Sequence, residues 1–267
     1  GKGVGLMAAS GVMFCLMSIL IRRAADVDSF MVAQFRFMIG LALLGSAALS
    51  GRIVLRFQNG PLLFLRGLTG GISVVLFFLS IAKLGIGKGT VISYCYPVFA
   101  SLIGAVCLRE RLGPIRIPAI CAALGGMVLL SLGKSAGGGL DWHVGRYEVL
   151  ALTGALMSGI AVVVVRKLHQ TDSTYAIFFS QCLVGLWLVV IPANVSGDSL
   201  GYTGGTMLLC IGVLAAVGQL LMTEGYRHVT VTTGSLLGML TPVLNFLVGL
   251  LFFRERLSGH AIFGAVL

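Results

Sequence analysis

Two prolines lie about halfway along long apolar runs, and their chemistry there is unusual. Pro97 lies in the run 90–108 and Pro242 in the run 231–253. Proline has no backbone N–H to donate, so a proline inside a helix leaves a carbonyl oxygen without its usual partner. That carbonyl can bind a polar ligand, although a proline that only kinks the helix for packing would give the same sequence. Interruptions at matching places in two segments predict a binding region for a small solute.

Helical spacing gives each proline its neighbours, because residues three or four apart share one face of a helix. Further polar and aromatic residues in the second, third and eighth runs could complete the same surface. The candidate substrate-binding residues are Thr90, Tyr94, Pro97, Ser235, Met239, Pro242, Gln34, Phe78 and Gln219. Each could instead serve helix packing, and we expect about half of them to touch substrate.

Two charged residues lie inside apolar runs. Arg36 is six residues past Phe30, which is about 9 Å deep at 1.5 Å per residue. A buried arginine costs a few kcal/mol unless it pairs or snorkels, so Arg36 either anchors helices to each other or contacts an anionic group of the substrate. Glu224 lies near the end of its run and either pairs with Arg227 or couples transport to protons. No carboxylate falls near a midplane, which favours movement down a gradient.

These residues must be positioned by membrane-spanning helices, since a span needs about 20 mostly apolar residues. The sequence contains nine such runs, at 3–21, 30–49, 61–84, 90–108, 115–132, 149–165, 175–193, 206–226 and 231–253. A tenth begins after Ser258 and reaches Leu267, and we expect its remainder to lie outside this sequence. The runs are continuous rather than alternating, which indicates helices and not a barrel.

The two halves of the chain repeat. Residues 109–112, Arg-Glu-Arg-Leu, recur at 254–257, and Pro97-Val98 recurs as Pro242-Val243, both at an offset of 145. Because five helices is an odd number, the second copy must cross the membrane in the opposite direction. We therefore predict an all-α integral membrane protein with ten transmembrane helices in two inverted five-helix repeats, the tenth truncated. The predicted divisions are a first repeat at 1–133, a Gly-rich linker at 134–146 and a second repeat at 147–267.

The same segments resemble a known family. Ala82-x-Leu84, Pro97-Val98, Glu110-Arg111-Leu112 and Gly125-Gly126 are similar to the repeat of the drug/metabolite transporter superfamily, EamA type. Arg36 matches an arginine that the family pattern places in the second helix. The resemblance covers nearly the whole chain. It implies a ten-helix fold that moves small metabolites, often amino acids, outward across a bacterial inner membrane.

Composition supports a membrane protein and excludes other classes. Of 267 residues, 57% are apolar and 10% are charged, against about 25% charged in an ordinary soluble domain. So few charges could not cover a soluble surface, which excludes a cytosolic globular enzyme and a disordered protein. The net charge of +10 is scattered at the ends of apolar runs, which indicates lipid headgroups and not nucleic acid. The six cysteines form no C-x-x-C pair, so we expect no disulfide framework and no metal site.

We expect an exporter of small amphipathic metabolites, namely aromatic or other neutral amino acids, which works by alternating access and without a driving ion. A proton-coupled drug/metabolite antiporter and a channel-like pore are the alternatives. We expect no enzymatic activity and no cofactor, with a small-molecule substrate and membrane lipid as partners of a monomer or weak homodimer. Ten Lys and Arg residues, Arg66 among them, fall on the side where the first helix begins, and eight fall opposite. That excess favours both termini in the cytoplasm, and the family resemblance implies a bacterial inner membrane.

Overall fold

The computed structural model describes residues 1–23, 27–110, 116–132, 145–195 and 202–253, and within these ranges the regular structure is entirely helical. The helices are α1 Lys2–Arg23, α2 Ser29–Leu49, α3 Gly60–Ser93, α4 Tyr96–Cys107, α5 Arg116–Leu132, α6 Arg146–Leu168, α7 Thr174–Val195, α8 Tyr202–His228, α9 Val231–Gly238 and α10 Leu240–Phe253.

Six of these helices contain a segment long and apolar enough to cross a bilayer. The six segments are Lys2–Ile21, Phe30–Leu49, Gly60–Ser80, Arg146–Leu168, Thr174–Val195 and Gly204–His228. Each has 20 to 25 residues, or about 30–37 Å of helix, which matches a hydrocarbon core of about 30 Å. The chain is therefore a multi-pass membrane protein.

The helix boundaries differ from the sequence prediction at two places. The predicted connection between Leu84 and Thr90 is wrong, because the backbone is helical from Gly60 through Ser93. The predicted ninth helix is broken, since α9 ends at Gly238 and α10 begins at Leu240. The tenth run, and most of the predicted linker, lie outside the described residues.

Short polar side chains start several helices by accepting hydrogen bonds from free backbone N–H groups. The carboxylate of Asp28 accepts from the N–H of Phe30 at the start of α2. The hydroxyl of Thr230 accepts from Thr233 at the start of α9. These caps fix where the helices enter the bundle.

The helices pack around a central antiparallel pair, α2 and α7. Phe37 packs on Gly185, while Gly40 packs on Cys182, so position numbers rise on one helix as they fall on the other. Helix α3 packs on α6 and α7, and α8 packs on α1 and α2. Small residues at these crossings allow close approach, which drives helix association where no hydrophobic effect operates.

Candidate functional site

The two candidate prolines mark helix breaks. Pro97 lies in the first turn of α4, directly after the break at Tyr94 and Cys95. Pro242 is the third residue of α10, directly after the break at Met239. The expectation that each proline lies inside a continuous helix is therefore wrong. Proline favours the first turn because no N–H bond is needed there, so it starts a new helix in mid-span.

The segments at the two breaks contact each other. The hydroxyl of Tyr96 donates to the backbone oxygen of Ser235 at 3.1 Å, and its ring end rests on Gly238. The rings of Tyr94 and Tyr96 lie 6.2 Å apart. Ser235 and Met239 are both buried. Tyr96, which the sequence analysis did not select, therefore joins the two breaks: it contacts Ser235 and Gly238, the residue before Met239, and it lies beside Tyr94.

A second group of candidates meets between α2 and α8. The Nη2 of Arg36 donates to the Oε1 of Gln219 at 2.8 Å. The guanidinium also lies 5.7 Å from the ring centroid of Phe14, a distance at which a cation is attracted by the ring face. The Nε of Arg36 and the Nε2 of Gln219 are buried without a hydrogen-bond partner. Both side chains therefore have donors to spare.

Two further candidates lie apart from these groups. The amide oxygen of Gln34 accepts a hydrogen bond from Asn194 at 3.4 Å, near the start of α2 and the end of α7. Phe78 lies beside Phe77 and packs on the core between α2 and α7. The side chain of Thr90 lies outside the described residues.

Glu224 lies at the end of the bundle where α1 begins, which we call the amino-terminal side. Its carboxylate accepts from the hydroxyl of Thr174, and it approaches Arg227 at 3.7 Å and His228 at 3.2 Å. The residue therefore has three partners at a helix end. This position suits the interpretation in which Glu224 forms an interfacial ion pair with Arg227.

A polar cleft of about 420 Å³ opens beside Glu224. It is lined by Leu108, Glu110, Arg166, His169, Gln170 and Arg227. The carboxylate of Glu110 accepts from the N–H of Val231 at 3.0 Å and lies 4.0 Å from Arg166. It thereby satisfies the positive end of the α9 dipole. Burial lowers the pKa of His169, whose Nε2 lies 2.7 Å from the backbone oxygen of Thr223.

Arg66 is the residue that the sequence analysis misassigned. The charge count put it at the membrane surface, but its side chain is only 3% exposed within α3. Its Nη2 donates to the Oε1 of Gln181 at 2.7 Å. The sequence did contain a signal, because Arg66 lies five residues past Pro61 inside an apolar run, much as Arg36 lies in its own run. Removing Arg66 from the surface leaves nine basic residues against eight.

Comparisons with known proteins give one consistent family. Residues 1–132 and 145–267 match the model of the EamA-like transporter family. The pseudopaline exporter CntI of Pseudomonas aeruginosa is 27% identical over 100% of this chain and 93% of its own length. Human solute carrier family 35 member G1 is 21% identical over 100% of this chain and 76% of its own.

Two other matches extend these findings. The riboflavin transporter of Rhizobium johnstonii is 25% identical over 98% of this chain and 86% of its own length. A protein of known crystal structure superposes with a TM-score of 0.83 over 99% of this chain and 92% of its own, at 18% identity. That likeness concerns the fold.

Proposed function

This chain belongs to the EamA-like transporter family, and from that premise we propose that it exports small carboxylate-bearing metabolites, amino acids first among them, by alternating access. Transporters of this kind move a small-molecule substrate across a membrane. The proposal adds the mechanism, the substrate class and the direction. The observation that carries it is a set of equivalent contacts in the two halves of the bundle.

The first equivalent contacts join α3 to α7 and α8 to α2. A Cβ added at Gly67 would lie 2.7 Å from the Cβ of Val184, and one added at Gly212 would lie 3.0 Å from the Cβ of Ile39. Gly212 is 145 residues after Gly67, and Ile39 is 145 before Val184. The offset that relates the sequence motifs therefore also relates packing contacts. This supports two five-helix repeats at 1–133 and 147–267, joined by the linker 134–146.

The second equivalent contacts lie where α2 crosses α7. Gly40 packs on Cys182 and Gly185 packs on Phe37, and the same offset of 145 exchanges the two contacts. Since α2 and α7 run antiparallel, the operation that exchanges the repeats reverses direction. An inverted pair of repeats has two near-equivalent packings, each open to one side of the membrane. That property supports alternating access and gives a channel-like pore less support.

The helix breaks support a substrate region between the repeats. Tyr94 and Met239, the residues at the breaks, are also 145 apart. Broken helices free backbone groups at depth and are used by transporters to bind polar solutes. We propose that Tyr94, Ser235 and Met239 line this region, with Arg36 and Gln219 on its α2–α8 wall and Thr90 beside it. Pro97 and Pro242 hold the breaks open, and Gln34 and Phe78 act in packing.

The contacts of Glu224 support transport without proton coupling. The carboxylate already has a hydroxyl donor and two basic neighbours at the amino-terminal side. A coupling carboxylate must bind and release a proton at depth, whereas Glu224 lies near a helix end. Antiport through Glu224 is the second candidate.

The relatives support the direction and the location. One relative is named as an exporter and comes from a bacterium. We propose that this chain works in a bacterial inner membrane as a monomer or weak dimer, with its amino-terminal side in the cytoplasm. Nine basic residues lie on the amino-terminal side and eight lie on the opposite side, so charge favours that orientation only slightly.

Counterflow in liposomes tests the proposal. Purified protein is reconstituted, the liposomes are loaded with one unlabelled amino acid, and uptake of labelled Phe, Thr or Met is followed. Saturable uptake that a defined subset of amino acids competes would support alternating access. Uptake that rises linearly with concentration and that no amino acid competes would indicate a channel-like pore instead of alternating access.

A proton gradient separates the two coupling candidates. An imposed gradient should not drive accumulation above equilibrium in the wild-type protein. Accumulation that disappears in Glu224→Gln would overturn the uncoupled mechanism and establish antiport.

A further inference from the structure

Arg66 is a cation held deep in the bundle with at least one of its donors unused. It lies six residues past the start of α3, about 9 Å along the helix. Its guanidinium packs over Gly70 and donates one hydrogen bond, to the neutral amide of Gln181. Its Nε is buried without a hydrogen-bond partner. A guanidinium has five N–H donors and no acceptor, so this site is built for more acceptors than the protein supplies.

Arg36 is a second cation of the same kind, reached from the other side of the membrane. It lies seven residues past the start of α2, about 10 Å along the helix. Because α2 ends on the side where α3 begins, the two arginines are about equally deep from opposite surfaces. In a hydrocarbon core of about 30 Å they flank the midplane.

The two guanidiniums share one environment. Both arginines lie at the crossing of α2 and α7, because Arg66 bonds to Gln181 and the next residue of α7, Cys182, faces Gly40, one helical turn past Arg36. The arginines thus form one dicationic centre between the repeats.

Three carboxylates of the described residues are held at the amino-terminal side, away from this centre. Glu110 and Glu224 are engaged at the amino-terminal side, and Asp172 there accepts from the backbone N–H of Gln58 at 2.7 Å. The hydrogen bonds of the two arginines go to glutamine oxygens, which carry no net charge. Removing an ion from water costs several kcal/mol unless a counter-charge compensates it. The centre therefore needs anionic charge from a ligand.

We propose that the substrate of this transporter is a small organic acid with two carboxylates, one bound by Arg36 and the other by Arg66. This rests on the proposed function and narrows its substrate from amino acids in general to dianionic metabolites. The planar guanidinium fork matches a carboxylate with two parallel hydrogen bonds. The unpaired Nε2 of Gln219 supplies one more donor beside Arg36.

A ladder of ligands with one carbon skeleton tests the assignment. Succinate, succinamate and succinamide carry charges of −2, −1 and 0 at pH 7.5. Binding to the purified full chain is measured by thermal shift at constant ionic strength. We expect affinity to fall at least tenfold at each step from succinate to succinamide. Equal affinity for all three, or no shift with any of them, would overturn the assignment.

Variants locate the two contacts. Arg36→Gln and Arg66→Gln should each reduce succinate affinity at least tenfold and remove the preference over succinamate. Arg52→Gln, at an exposed position beyond α2, is the matched control and should bind as the wild type does. If a glutamine variant does not fold, Arg36→Lys and Arg66→Lys keep the charge and should lose part of the affinity. Unchanged succinate binding in a folded Arg66 variant would refute the role of Arg66.

Counterflow distinguishes this inference from the proposed function. If neutral amino acids exchange while succinate neither binds nor exchanges, the dianionic substrate is refuted and the exporter stands. If succinate binds with the expected charge dependence but nothing exchanges, the anion site stands and alternating access falls.

Discussion

The crossing of α3 and α7 at Gly67 gives a sharp test of the packing. At Gly67 an added Cβ would lie 2.7 Å from the backbone oxygen of Ser180 and 2.7 Å from the Cβ of Val184. Neither atom can rotate away, because one is backbone and the other is attached directly to it. Gly67→Ala must therefore push α3 away from α7.

The size of the effect follows from two opposing contributions. Overpacking of a close contact costs about 1–3 kcal/mol, while replacing a helical glycine by alanine gains about 1 kcal/mol. Gly67→Ala should therefore destabilise the protein by up to about 2 kcal/mol. Gly212→Ala should cost less, since it meets the side chain of Ile39, which can shift. Gly45→Ala has open space around it and should be neutral or stabilising by up to about 1 kcal/mol.

Thermal unfolding of the purified variants in one detergent measures these differences. The two variants differ by the overpacking cost of about 1–3 kcal/mol, so with about 2–4 °C per kcal/mol for chains near this size, Gly67→Ala should melt roughly 2–12 °C below Gly45→Ala. Gly212→Ala should fall between them. If the Gly67→Ala protein melts at or above the melting temperature of the Gly45→Ala protein, the reasoning is refuted, because α3 and α7 would then not be in close contact.

Three other predictions follow from the contacts of the site. Glu110→Ala leaves the N–H of Val231 uncapped and should lower unfolding stability by about 1–2 kcal/mol, with Glu110→Gln nearer to wild type; equal melting temperatures for both would contradict the cap. The lowered pKa of His169 means that acid protonates the unfolded chain first, so stability should be complete above pH 6.5 and fall below it. His169→Asn should flatten that decline, and an unchanged pH profile would count against it. Pro97→Ala with Pro242→Ala lets helix continue through the breaks and should slow counterflow while membrane insertion stays normal; wild-type flux would exclude a role for the breaks.

The sequence predicted most of the helical spans because hydrophobic length alone decides what can cross a bilayer. It misjudged the prolines, because composition does not reveal whether a proline kinks one helix or begins another. Pro97 and Pro242 do the latter, and a single residue or two of non-helical backbone before each is enough to break the span. The continuous helix through residues 85–89 was missed for the opposite reason, since three glycines in five residues favour a connection.

The candidate site was predicted in part. Arg36 and Gln219 were both selected as isolated polar residues in apolar runs, and they hydrogen-bond to each other. Gln34 was selected by the same rule, yet it faces Asn194. Two positions separate Gln34 from Arg36, which turns it about 200° around the helix. Selecting residues by their depth in an apolar run finds polar side chains. Which neighbouring helix each side chain faces depends on how the other helices pack on α2.

The repeat offset distinguishes the helix crossings from the buried arginines. The glycine contacts at the helix crossings recur at an offset of 145, but the two arginines do not. Position 211, equivalent to Arg66, is isoleucine, and position 181, equivalent to Arg36, is glutamine. A symmetric frame can adopt two equivalent packings, but it offers a ligand no preferred orientation. Orientation must come from residues that break the symmetry, so changes at the crossings should slow every substrate, whereas changes at Arg36 or Arg66 should alter which substrate is carried.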